Sequence, residues 1–119
     1  MHIHFTARKF RAKNYIKEHA VSTVKKLERF YDGIVRSDII LSYERMSQSV
    51  KTAEINLHVH GTLLSAKEKS EDFYKSIDLA IDKLERQLAK YKTKLRMKNK
   101  KALRHVKEKI TTLPIGEEA

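Results

Sequence analysis

Cysteine is absent from the 119 residues, which excludes disulfides, a thiolate metal site and a thiol nucleophile. Its absence fits a reducing compartment. No apolar run approaches membrane-spanning length. The segment His2 to Ala7 is too short and too polar for the apolar core of a signal peptide. Also missing are a Gly-rich phosphate loop, an HExxH pair and a GxSxG elbow. No spacing of Ser and His nominates a catalytic triad. The sequence therefore offers no catalytic residue and calls for no cofactor. What remains is a chain long enough for one domain with a core that needs no staple.

What is abundant is positive charge. The net charge is +11, and it is unevenly placed. Between Arg86 and Lys109 stand eleven basic residues and a single acid, Glu108. That segment carries nearly the whole excess. Partners of this chemistry are polyanions: RNA, DNA or an anionic membrane surface.

The stretch Ser70 to Arg96 organises the chain. Phe73, Ile77, Ala80, Ile81, Leu84, Leu88, Tyr91 and Leu95 recur at the three-and-four spacing of one buried helical stripe. Neither Gly nor Pro interrupts it. Ser70 is the expected N-cap, with Glu71 and Asp72 favourable to the helix dipole. At 100° per residue, Lys83, Arg86, Lys90 and Lys94 fall along one flank, and Asp78, Asp82 and Glu85 along the other. A solvated helix usually mixes its signs, with Asp82 and Arg86 then a routine i,i+4 pair. Spaced cations on a rigid rod also suit a phosphate backbone.

Upstream, Met1 to Ala7 alternates as a half-buried strand. Asn14 is the expected N-cap of a helix running to about Tyr31, with Lys25, Lys26 and Arg29 on its exposed side. Asp32-Gly33 ends it, Gly being able to take the left-handed conformation. Strands follow at Ile34–Glu44 and Val50–His60, and Gly61 joins the latter to a short strand, Thr62–Lys67, as a hairpin. The order is β-α-β-β-β-α. A right-handed crossover makes the first strand pair parallel, and short turns make the later pairs antiparallel. The expected fold is α+β: a four-stranded mixed sheet with two helices packed on one face, like the double-stranded-RNA-binding fold. Residues 1–96 form the domain. Residues 97–119 are a basic tail, expected to be mobile, in which Leu103, Val106 and Ile110 hint at two helical turns.

Two His-x-His pairs, His2/His4 and His58/His60, invite a metal reading. With the second strand between them the pairs lie roughly 9.6 Å apart. One ion, with ligand distances near 2 Å, cannot bridge that gap. Solvent-face histidines are the simpler account, so no metal site is expected. Asp78 and Asp82 read as solvated acids. Most aromatics fall on apolar stripes; Tyr74 is offset and could stack on a base. The two basic helical runs would flank one groove if the helices lie side by side, which favours nucleic-acid binding without implying base readout.

The run DFYKSIDLAIDKLERQLAKYKTK, Asp72 to Lys94, resembles the signature helix of the ribosome hibernation promoting factors, also called ribosome-associated translation inhibitors. Phe73, Tyr74, Ile77, Asp78 and the Lys83–Leu88 segment KLERQL carry the likeness, as does DIILSYE, Asp38 to Glu44. It covers about Met1 to Arg96. The resemblance implies a cytoplasmic, non-enzymatic factor that binds the small ribosomal subunit and its rRNA in the mRNA and tRNA channel. It implies silencing of idle ribosomes in stationary phase or stress by steric occlusion. Carried over as rRNA-binding are Lys83, Arg86, Lys90, Lys92 and Lys94, with Lys25, Lys26 and Arg29 from the first helix and Arg8 after the first strand. No membrane, small-molecule substrate or cofactor is implied, and the free protein is expected to be a monomer. Long family members carry a C-terminal dimerisation domain where this chain has a tail of 23 residues, so its effect on ribosome dimers stays open. Two other readings compete: a general double-stranded-RNA-binding module, and a protein adaptor using the tail around Leu103 to Ile110.

Overall fold

In the computed structural model, residues 1–45 and 49–111 are described, with side chains as far as Met97. The elements are β1 (His2–Arg8), α1 (Asn14–Lys25) with a 3-10 turn at Lys26–Arg29, β2 (Ile34–Arg45), β3 (Ser49–Val59), β4 (Thr62–Ser70) and α2 (Phe73–Thr111). The sheet order is β1-β2-β3-β4. β1 pairs with β2 in parallel, and the other pairs are antiparallel. This is the expected mixed sheet in the expected order.

The alternation decides which face is covered. Ile39, Leu41, Ile55 and Leu57 are fully buried, and Ala66 nearly so. Ile39 stands opposite Ile55, and Ile55 opposite Ala66, so these residues share one face. Against that face pack Ala20, Val24 and Leu27 from the first helical segment. Phe73, Ile77, Ala80, Leu84 and Leu88 complete the core from α2. The Leu88 side chain closes the compact unit Met1–Leu88; α2 continues into a second unit beginning at Ala89. Ser37 is the odd member of the core face, its hydroxyl buried without a hydrogen-bond partner.

Several local expectations are corrected. Asp72, not Ser70, caps α2. The Asp72 carboxylate accepts from the Tyr74 N–H at 3.1 Å, and its carbonyl from the Ser76 N–H at 3.0 Å. Ser70 is the last residue of β4, opposite Lys51. Its hydroxyl lies 2.6 Å from that of Ser76, which donates to the Lys51 carbonyl at 2.7 Å. Ser70 thus ties the first turn of α2 to the sheet and cannot also begin the helix. At α1 the cap position is Lys13, which makes no side-chain cap bond, and Asn14 is already helical. The α-helix stops at Lys25 and tightens to 3-10 geometry, a common way to close a helix end.

Gly33 does not take the left-handed backbone expected of it. Gly61 takes a positive φ, 79°, in the β3–β4 turn. A Cβ on Gly33 would come within 2.5 Å of the Tyr31 ring. The first turn off the sheet, at Lys9, takes φ 66° without being Gly. It swings Phe10 onto Phe73, rings stacked 4.7 Å apart, a core contact that periodicity does not announce. Finally, α2 runs past Arg96 to Thr111, since no Gly or Pro intervenes and Lys, Leu, Arg and Ala propagate a helix readily. The adaptor reading rests on the side chains of Leu103 to Ile110, which lie outside the described ones, as do residues 112–119.

Candidate nucleic-acid interface

α1 lies against β1 and β2, and α2 is anchored over β3 and β4. Besides the Ser76 bond, Gln87 Nε2 donates to the Ser65 carbonyl at 2.8 Å, and Lys83 pairs with Glu68 of β4. The other flank of α2 faces α1, where Asp78 Oδ1 meets His19 Nε2 at 2.9 Å. Lys83 and Asp78 are five residues apart, about 140° round a helix. The acidic flank thus turns toward α1 and Lys83 away from it. Of the cations expected to flank a groove between the helices, Lys83 is turned to β4, and the inter-helix side holds the His19–Asp78 pair. Asp78 is therefore not merely a solvated acid.

The sequence-nominated cations divide accordingly. Lys25, Lys26 and Arg29 are exposed at the end of the first helical segment, and Arg86 is exposed on α2. None forms a salt bridge among the described residues. Nor does Asp82 pair with Arg86. Lys83 is committed to Glu68, with about half of its side chain exposed. Arg8 ends β1 opposite Ser42, exposed. On the continuation of α2, Lys90 and Lys94 are exposed and Lys92 is half-buried. Unpaired exposed cations keep their full charge for phosphate, which is how a protein gains affinity by counterion release.

The face of the sheet opposite the helices is polar. His2, Arg36 and His58 stand in one cross-strand row, and His4, Asp38 and Asn56 in the next. β2 separates the two His-x-His pairs. Asp38 accepts from Arg36 Nε at 2.8 Å and contacts His58 Nε2 at 2.9 Å. Among the described residues no group of three or more His, Cys, Asp or Glu is placed to hold a metal ion. Burial alone would push the Asp38 carboxyl up. The His58 and Arg36 hydrogen bonds and charges outweigh it and hold the group below its ordinary 3.8. A carboxyl depressed on folding adds stability above its unfolded value and loses it as pH falls through the folded one. We expect Asp38→Asn to lower the urea midpoint at pH 7. The difference from the parent should shrink as pH drops below about 3.9; an unchanged gap at pH 3 would remove Asp38 from the acid limb.

Sequence reasoning also missed the cluster at the start of the two helices. Tyr15 and Tyr74 lie nearly parallel, centroids 6.2 Å apart, and the His19 ring packs on Tyr74 at 4.7 Å. Lys13 Nζ stands 5.9 Å over the Tyr15 ring. Only the offset of Tyr74 from its stripe hinted at this. Partial desolvation first, then the neighbouring Tyr15 and Asp72, hold the Tyr74 phenol above its ordinary 10.0, so it stays neutral.

Residues 3–96 match the protein family described as sigma 54 modulation protein / S30EA ribosomal protein. A ribosome hibernation promoting factor of Klebsiella oxytoca is 40% identical over 81 residues, which are 68% of this chain and 82% of that protein. The ribosome hibernation promotion factor of Bacillus subtilis is 34% identical over 70% of this chain but only 44% of its own length. Among solved structures, a ribosomal subunit interface protein from Coxiella burnetii superposes with a TM-score of 0.71 at 29% identity. That match covers 78% of this chain and 99% of the other.

Proposed function

Because the chain belongs to the sigma 54 modulation protein / S30EA ribosomal protein family, we propose that it silences ribosomes by occupying the mRNA and tRNA channel of the small subunit. Ribosome hibernation is the function its relatives are named for, and the ribosome is its partner. The observation that carries the finer reading is the set of exposed cations Lys25, Lys26, Arg29 and Arg86, none in a salt bridge among the described residues. Such groups grip phosphate without reading sequence. Inhibition then follows from volume: a folded body held in the channel excludes mRNA and tRNA. No bond is made or broken. Residues 1–96 would supply the body, with Arg8, Lys83, Lys90, Lys92 and Lys94 adding contacts. The basic residues beyond Arg96 would extend the rRNA grip. The site of action is the cytoplasm, where ribosomes idle in stationary phase or stress, and no described helix is long and apolar enough to cross a membrane.

The competing reading is a general double-stranded-RNA module, for which the helix pair and antiparallel strands would suffice. One experiment separates them. Purified protein is mixed with salt-washed ribosomes and sedimented through sucrose at low and high salt. We expect comigration with the small subunit and the whole ribosome, lost at high salt and competed by mRNA with tRNA. Free RNA duplex should compete poorly. Equal competition by duplex would favour the general module, and absence of comigration at low salt would end the channel reading.

A further inference from the structure

Two aromatic pairs sit at the same end of the domain, and they differ in kind. Phe10 and Phe73 stack at 4.7 Å, with Phe73 nearly buried, as a core pair does. Tyr15 and Tyr74 are also nearly parallel, at 6°, yet Tyr15 is 52% exposed. Tyr15 therefore leaves much of a large π-surface open to a flat ligand. The second ring is held in place. Tyr74 is the second residue of α2, its N–H fixed by the Asp72 carboxylate. The His19 ring packs against it, and His19 is in turn pinned to Asp78. Tyr74 therefore gives Tyr15 a fixed backing ring, which lowers the freedom lost when a ligand covers the other face.

The charge around the rings selects an anionic ligand. Lys13 stands over the Tyr15 ring, and Arg11, two residues before Lys13 in the chain, is exposed without a salt bridge among the described residues. Three neighbouring acids have partners of their own: Asp78 bonds His19, Asp72 accepts from the Tyr74 N–H while keeping its charge beside that ring, and Glu71 stands 3.8 Å from Lys75. Glu18, one turn along α1 from Tyr15, is the carboxylate that a phosphate must avoid. A flat π-face beside a mobile ammonium is the pairing used for single-stranded nucleic acid, where the ring takes the base and the cation the phosphate.

We propose that Tyr15 and Tyr74, with Lys13, form a stacking site for an unpaired base of single-stranded RNA, in addition to the phosphate grip of Lys25, Lys26, Arg29 and Arg86. The proposal rests on the preceding functional reading in taking RNA as the partner. On binding, the base covers the open face of Tyr15 and the Lys13 ammonium moves from the ring toward the phosphate. The site tolerates any base but favours purines, whose larger faces stack better.

The test uses the full chain and three labelled decamers read by fluorescence anisotropy: oligoadenylate, oligouridylate, and an abasic decamer with the same phosphates. The intact protein should bind oligoadenylate tightest and the abasic chain weakest. Tyr15→Leu keeps bulk but removes the π-face at an exposed position. It should weaken oligoadenylate binding roughly tenfold and leave the abasic decamer unchanged, while Tyr15→Phe retains affinity. Equal binding of oligoadenylate and abasic decamer by the intact protein, no binding of either, or no effect of Tyr15→Leu would each overturn the site. Ribosome sedimentation of the same proteins keeps the two ideas apart. Comigration without a Tyr15 effect on the decamers sinks the stacking site alone. A Tyr15 effect without comigration leaves the stacking site standing and removes the channel.

Discussion

Reversing Arg86 and Lys90 together to glutamate is expected to abolish comigration with ribosomes and leave the fold intact. Both side chains are exposed, so no buried partner is orphaned by the change. Lys83 is left alone deliberately. It pairs with Glu68, and a glutamate there would set two carboxylates together and confuse folding with binding. If each cation neutralises one phosphate, the slope of log affinity against log salt should fall by roughly two, and affinity near 0.1 M salt by about a hundredfold or more. Net charge alone could produce part of this, so the control must change charge equally elsewhere. Lys67 and Lys69 are exposed on β4, opposite Glu54 and Thr52 on the face away from the helices. Lys67→Glu with Lys69→Glu should retain most of the binding. Equal loss from both doubles would mean that the protein is held by bulk charge, and the helical interface would be given up.

The strands were legible because a half-covered strand must alternate. Ala53, Ile55, Leu57 and Val59 are buried as the pattern requires, and the Gly61 turn sits where its backbone freedom is used. The long helix was legible for the same reason at a different period. What escaped were choices settled by tertiary contact. Ser70 and Asp72 are both good caps two residues apart, and the pairing of Ser70 with Lys51 in the sheet decides between them. Gly33 takes no positive φ, and the Tyr31 ring lies against it instead. The sorting of charge on α2 was visible, but not the direction of each flank, which depends on where α1 packs. His19 and Asp78 are 59 residues apart, and no spacing rule connects them. The Tyr15–Tyr74 pair is hidden likewise, because it needs two helix starts brought side by side. The cations, by contrast, are legible individually, since exposure is the ordinary fate of Lys and Arg; the pairing of Lys83 with Glu68 of β4 is not.

The largest loss of stability should come from Leu84→Ala. Leu84 is fully buried on the core stripe of α2, between the flank tied to β4 through Lys83 and Gln87 and the flank tied to α1 through Asp78. Both flanks are anchored, so the helix cannot sink to fill the space a leucine leaves. Truncation then costs the transfer energy plus a cavity, about 3–5 kcal/mol. For a domain of this size that is a fall in Tm on the order of 10–20 °C. Leu79 is the internal comparison. It lies five residues earlier on the same helix, 39% exposed, and Leu79→Ala should move stability by less than about 1 kcal/mol. Thermal unfolding of the two variants measures the difference. Similar losses would show that α2 does not bury the stripe assigned to it, and the placement of Arg86 on the outward side would fall with it. Where Leu84→Ala is still folded, well below its midpoint, its affinity for ribosomes should match the parent's. Its effect acts through the population of folded chain and not through the charged surface, whereas the Arg86 and Lys90 reversal should do the opposite.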